Sequence, residues 1–150
     1  MNFTYLIKIL IIPLLIVLFT IFIISLSSTK GESLAYITNQ GEDTVSVVSL
    51  NDLIVQKKID VGDSPLGIAI IESKGLAIIG NVDSQNLSVI DLKKNEVIET
   101  IAIGTAPLGL TPHPSGEKVF ITSWFKSQVL VLSTKDFSVT KAFNVGVTPS

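Results

Sequence analysis

Two hydrophobic rhythms divide the chain. Residues 9–26, ILIIPLLIVLFTIFIISL, form one apolar run without a charge. From residue 31 onward the apolar residues come in short bursts separated by turn-forming residues. Residues 65–103 show the pattern best. PLGIAIIE (65–72) is continuous, Ser73-Lys74-Gly75 is a turn, and LAIIGN (76–81) is a second run. VDSQN (82–86) is polar, LSVIDL (87–92) is a third run, KKN (93–95) is a turn, and EVIETIAI (96–103) alternates with period two. Short runs rich in Val and Ile predict four β-strands. No window after residue 30 has helical spacing with caps.

The pattern repeats. Laid on itself at an offset of 42, the chain aligns Gly62, Gly104 and Gly146, then Pro65, Pro107 and Pro149, without a gap. Ile37, Ile79 and Ile121 coincide, as do Val47, Val89 and Val131, and Val55, Val97 and Val139. Gly67 meets Gly109, and Asn39 meets Asn81, with Ser123 third. Four strands in a unit of this length predict an all-β fold, a partial β-propeller of four-stranded blades. The continuous strand 65–72 should be the inner one, buried on both faces, and the alternating strand 96–103 the outer, partly wet one.

Tyr36-Ile37-Thr38-Asn39, then Thr44-Val45-Ser46-Val47-Val48, then Ile59-Asp60-Val61-Gly62 and Pro65-Leu66-Gly67, resembles the YVTN-type β-propeller repeat. The second unit departs from the signature at Ile78-Ile79-Gly80-Asn81 but keeps Leu87-Ser88-Val89-Ile90-Asp91. The third has Phe120-Ile121-Thr122-Ser123 after Pro114-Ser115-Gly116, similar to the family's Pro-Asp-Gly turn. The resemblance covers residues 34–150 and is specific for fold, not for function.

The expected organisation is a membrane anchor or signal peptide at 1–30, then repeats at 31–150. Blade 1 spans 34–62, blade 2 spans 65–104, blade 3 spans 107–146, and 147–150 begins another. Blade 1 starts at its second strand, because the position of its inner strand falls near Ile23, inside the apolar run. Propellers have about 4–8 blades, and three leave apolar faces and strand edges open. The chain is therefore expected to be the front part of a longer propeller. The rival reading is that several copies complete one ring.

The 18-residue apolar run would make a helix of about 27 Å, close to a hydrocarbon core of about 30 Å. Two readings stand. An uncleaved anchor fits its length, and Ser25-Leu26-Ser27 is a passable signal-peptidase site. Lys8 precedes the run, while Lys30 after it is offset by Glu32, a slight bias toward an inside N-terminus. Both readings export the repeats, which places them on the outer side of the cell membrane or, after cleavage, in a secreted protein.

Composition narrows the chemistry. Beyond residue 30 there are 9 lysines against 13 acids, and the whole chain has no Arg and no Cys. An acidic chain without Arg is a poor nucleic-acid binder, since nothing can fork onto phosphate or guanine. Without Cys there is no disulfide, thiolate metal site or haem attachment. His113 is the single histidine, so no site built on two imidazoles lies in this chain. No catalytic grouping, cofactor or metal ligand set is read from these residues.

Loops between the second and third strands share a face with those joining one blade to the next. That face carries the ligand candidates Asn39, Asp63, Asn81, Asp83, Trp124, Phe125 and Lys126. Two aromatics beside a cation suit sugar stacking or a protein contact, although large aromatics are mostly structural and Trp124 would then pack between blades 2 and 3 and fill the wedge. Asn39 and Asn81 could face a ligand, but Asn at a strand end commonly caps a turn. Asp43, Asp63 and Asp83 fall at different repeat positions and read as a solvated loop rather than a calcium cage. His113, between Pro112 and Pro114, reads as a turn residue on the opposite face. Asn86-Leu87-Ser88 is a glycosylation candidate at Asn86. Lys57-Lys58 and Lys93-Lys94 read as strand edges that discourage sheet addition.

The expected function is a binding or scaffold propeller at the cell surface, held by residues 9–26, with a protein or glycan ligand and no activity of its own. The alternative is the N-terminal fragment of a propeller enzyme, lactonase-like or a cofactor-dependent oxidoreductase, with its catalytic residues in other blades.

Overall fold

The computed structural model describes residues 32–150. The expected anchor, its orientation and the choice between anchor and signal peptide lie outside them. Ser33–Ser150 form one compact unit. Among the described residues no helix is long and apolar enough to cross a membrane.

Among the described residues, eleven strands form three antiparallel sheets. The first holds β1 (Leu34–Asn39), β2 (Thr44–Ser49) and β3 (Ile54–Asp60) in that order. The second holds β4 (Pro65–Ile71), β5 (Leu76–Asn81), β6 (Asn86–Asp91) and β7 (Glu96–Ala102). The third holds β8 (Pro107–Pro112), β9 (Lys118–Ser123), β10 (Gln128–Ser133) and β11 (Val139–Asn144). A single turn of 3-10 helix, Glu72–Lys74, joins β4 to β5. The connections alternate between two ends of the stack. We call the end with the β1–β2, β5–β6 and β9–β10 loops upper, and the other lower.

Successive side chains of a strand point to opposite faces, and the second sheet is apolar on both. Ile78 packs with Leu87, Val119, Ile121 and Leu132 of one core. Its neighbour Ile79 packs with Val45, Val47, Ile59 and Ile90 of another. Each core therefore lies between consecutive sheets. Full burial of such a side chain contributes about 1.5–3 kcal/mol. The end sheets show the same positions uncovered. Ile37 is 50% exposed where its repeat mates Ile79 and Ile121 are fully buried. Phe143 is 40% exposed where Ile59 is 5%.

Burial corrects one expectation. The middle strands β5 and β6 are the most buried, not the inner strand β4, which leaves Leu66 exposed. A strand at the edge of its sheet has one side without a neighbour, whatever its composition. The outer strand β7 is largely exposed, as its alternation implies.

The hairpin turns repeat in backbone conformation even where their residues differ. Asp43, Gln85 and Ser127 close the three upper hairpins with φ of 55°, 52° and 48°. Leu53, Asn95 and Phe137 do the same at the lower ends, with φ of 57°, 55° and 55°. Positive φ suits Asn far better than Leu or Phe, so the turn geometry is imposed by the strands it joins. The lower turns reach one hydrogen-bonding end by two routes. Ser49 and Asp52 bond each other, and the Ser133 hydroxyl accepts from the Lys135 amide while Asp136 bonds Ser138. In the second sheet Asp91 takes the place of the serine and accepts from the Lys93 and Lys94 amides, both at 2.9 Å. Those amides hold the Asp91 carboxyl below the usual carboxylate range. Tyr36 crosses from the first sheet to donate to Asn95 Oδ1 at 2.6 Å. Burial pushes its phenol up, and the Asp91 charge adds to that.

Adjacent sheets come closest at β4 and β8. A Cβ on Gly67 would lie 2.2 Å from the Leu108 carbonyl oxygen, which is backbone and cannot swing away. Gly67→Ala should therefore push β4 and β8 apart and cost about 1–3 kcal/mol, read as a lower urea midpoint. Gly41→Ala, where a Cβ meets nothing within 4 Å, serves as the control.

Candidate functional site

At the upper end, the recurring asparagines are turned inward. Asn39 Nδ2 donates to Thr44 Oγ1 at 3.0 Å and Ser46 Oγ at 2.8 Å. One repeat later, Asn81 Nδ2 donates to Asn86 Oδ1 at 2.7 Å and Ser88 Oγ at 2.9 Å. Both staple the start of the following strand across its hairpin. Asn81 is fully buried, and its Oδ1 has no partner. In the third sheet Ser123 holds the position and bonds the buried Thr105 hydroxyl instead. Gly62 is shaped by the same staple, since a Cβ there would lie 2.7 Å from Asn81 Nδ2. Asn86, the glycosylation candidate, opens β6 half-buried, with its Oδ1 engaged by Asn81 and Ser84.

The aspartates lie in the same loops and lace them together. Asp43 Oδ1 accepts from the Ser64 amide at 2.9 Å, and the Asp83 carboxylate accepts from the Ser64 hydroxyl. The Asp63 amide donates to Ser84 Oγ at 2.9 Å. These contacts join the β3–β4 connection to the β1–β2 and β5–β6 loops. Among the described residues no group of three His, Cys, Asp or Glu side chains is placed to hold a metal ion.

Trp124, Phe125 and Lys126 differ from all of these. They occupy the β9–β10 loop and are exposed, Trp124 by 39% and Phe125 by 77%. The two rings are parallel within 3°, with centroids 5.9 Å apart. Neither belongs to a core. The loop is pinned by the Trp124 amide, which donates to the Ala106 carbonyl at 3.2 Å, and by the Ser127 carbonyl, which accepts from the Val145 amide at 2.9 Å. A fixed loop with two bare rings can stack an apolar face of a ligand. His113 sits at the lower end, where Nδ1 accepts from the Ser115 amide at 3.2 Å, a turn role.

Residue-by-residue reading missed a second feature. At the lower end a cleft of about 440 Å³ is lined by Lys74, Glu117, Lys118, Ser133, Lys135 and Thr140. Its residues come from two sheets, so no single repeat displays it. Folding the sequence onto its own period would have shown Lys74, Lys118 and Lys135 all at lower-end positions.

No protein-family model matches the chain, and no curated protein does. Solved structures do, on fold. Hydrazine synthase of Kuenenia stuttgartiensis superposes with a TM-score of 0.74 at 21% identity, over 78% of this chain and 34% of that one. Sqt1 of Saccharomyces cerevisiae gives 0.68 at 14%, over 80% and 32%. AztD of Citrobacter koseri gives 0.64 at 19%, over 80% and 34%. These are β-propeller-type proteins, and the chain shares their all-β fold of four-stranded antiparallel sheets. It spans about a third of their length.

The staple and the aromatic pair should separate in a stability measurement. Asn81→Ala removes the amide that donates to Ser88, leaves Asn86 Oδ1 with the longer Ser84 contact alone, and should cost about 1–3 kcal/mol. Trp124→Ala removes an exposed ring and should cost less than about 1 kcal/mol. Urea denaturation of the two variants reads the difference.

Proposed function

We propose that the chain is part of an exported β-propeller of the YVTN type, held at the membrane by residues 9–26 and acting as a binding or scaffold module. The signature Tyr36-Ile37-Thr38-Asn39 and the Gly62…Pro65 element support the family reading, and the uncharged run at 9–26 supports the location. The observation that carries the module reading is the pair of open end faces. On the first sheet Ile37, Leu50 and Val55 are exposed, and on the third Phe143 and Val145 are. Their repeat mates in the second sheet are covered or pack against a core. β1 also has no strand on its inner side among the described residues. Further 42-residue blades cover both faces in this proposal and supply the missing inner strand.

The ligand-facing element is the Trp124–Phe125 platform with Lys126 beside it. Flat rings held on a pinned loop bind the apolar face of a sugar through area rather than through many hydrogen bonds. The end faces and the platform serve different ends, one assembly and the other recognition.

Two outcomes follow. Residues 32–150 alone should self-associate in sedimentation and bind a hydrophobic dye, because one face of each end sheet lacks a neighbour; a well-folded monomer that leaves the dye dark would overturn the need for further blades. The full chain should capture envelope glycans, and Trp124→Ala should weaken capture about tenfold. Equal capture by both proteins removes the platform from the reading.

A further inference from the structure

The lower cleft gathers three lysines against one carboxylate. Lys74 lies in the 3-10 turn of the second sheet, Lys118 begins β9, and Lys135 lies in the β10–β11 turn. Among the described residues the ion pair is Lys58 with Glu42, at the other end of the stack. The three lysines therefore face one carboxylate in the cleft, that of Glu117. Asp136 lies beside Lys135 in sequence, but its carboxylate is held in the turn by the Ser133 and Ser138 hydroxyls, which keep it below the usual range.

The cleft has a fixed floor. Thr134 is buried, and its hydroxyl donates to the Gly116 carbonyl at 2.6 Å while accepting from Lys74 Nζ at 2.7 Å. That contact draws Lys74 across the gap between the two sheets. An ammonium has three N–H groups, so Lys74 has donors left, and Lys118 and Lys135 have theirs. The Thr140 hydroxyl donates to the Val131 carbonyl at 3.1 Å and leaves its lone pairs on the cleft wall.

We propose that this cleft binds a phosphate group carried on a small polar molecule. Three lysines on the lining of one cleft suit a tetrahedral oxyanion, which is read by charge and not by a planar fork. The chain has no Arg, so the bidentate grip that favours a carboxylate is missing. The volume lies within the range of about 300–1,000 Å³ for small-molecule sites and exceeds what a bare phosphate fills. The Ser133 and Thr140 side chains on its lining suit a sugar or polyol as the carrier. The site gathers its charge from two consecutive sheets, so it exists only where they stack.

Titration calorimetry of the full chain with glycerol 3-phosphate, inorganic phosphate and glycerol tests this. The two phosphates should bind saturably at one site, and glycerol should not bind. The double variant Lys118→Gln, Lys135→Gln should lose about tenfold or more in affinity. The double variant Lys93→Gln, Lys94→Gln removes the same charge from a neighbouring lower turn and should stay within about twofold. Circular dichroism of each variant separates loss of the site from loss of the fold. Absence of saturable binding to the folded protein overturns the proposal, as does equal weakening by both double variants, which would show general charge attraction only. Glycerol 3-phosphate binding above inorganic phosphate supports a carried phosphate, and equal affinity for the two restricts the ligand to free phosphate and overturns the carrier.

Discussion

A β-sheet apolar on both faces cannot face water on either. This constraint organises the molecule. In the second sheet, Ile78 and Ile79 are neighbours in sequence, both fully buried, and they point into different cores. Such a sheet needs a partner on each side, and the partner that fits is another copy of itself. Stacking then follows from the sequence repeat, since equal units present equal faces. The close approach of β4 and β8, with Gly67 against the Leu108 carbonyl, marks where the wedge is narrowest. A side chain is least tolerable at that point.

Apolar faces alone leave the register loose, because a slip of one repeat step costs little in contact area. Polar contacts at the strand ends remove that freedom. Asn39 and Asn81 each reach across a hairpin to the same two positions of the next strand. A slip by one residue would reverse every side chain and also strand a buried amide. The left-handed turn residues add to this. Leu53 and Phe137 hold a conformation that Asn95 holds more comfortably, so the strands dictate the turn, and the residue at its tip tolerates the result.

The period, the strands and their pairing were legible because they follow from spacing. The predicted runs 65–72, 76–81, 87–92 and 96–103 fall within one residue of β4 to β7. The inner strand was misjudged for a physical reason. Its composition reports which residues could be buried, while its burial depends on whether a neighbour exists on its inner side. Asn81 was legible as a turn residue, yet its full burial depends on Gly62 and Ser84 closing over it. Trp124 carried two readings because a large ring can fill a wedge or lie on a surface, and among the described residues it is 39% exposed. The lysine cleft was illegible residue by residue. Lys74 and Lys118 lie in different units, and their nearness is a property of the stack.

The two ends of the stack use their carboxylates differently, and this bears on what each end can bind. At the lower end Asp52, Asp91 and Asp136 are spent on turns, each held by hydroxyls or amides of its own hairpin. At the upper end Asp43 and Asp83 lace one connection to the next across sheets. The lysines of the lower turns have no such duty, apart from the Lys74 contact to Thr134. Charge that is fixed in a turn contributes to the fold and is weakly available to a ligand, because its hydrogen bonds are already filled. Free ammonium groups on the same turns keep theirs. An acidic chain can therefore present a basic cleft, since its net charge counts all carboxylates equally and a ligand does not.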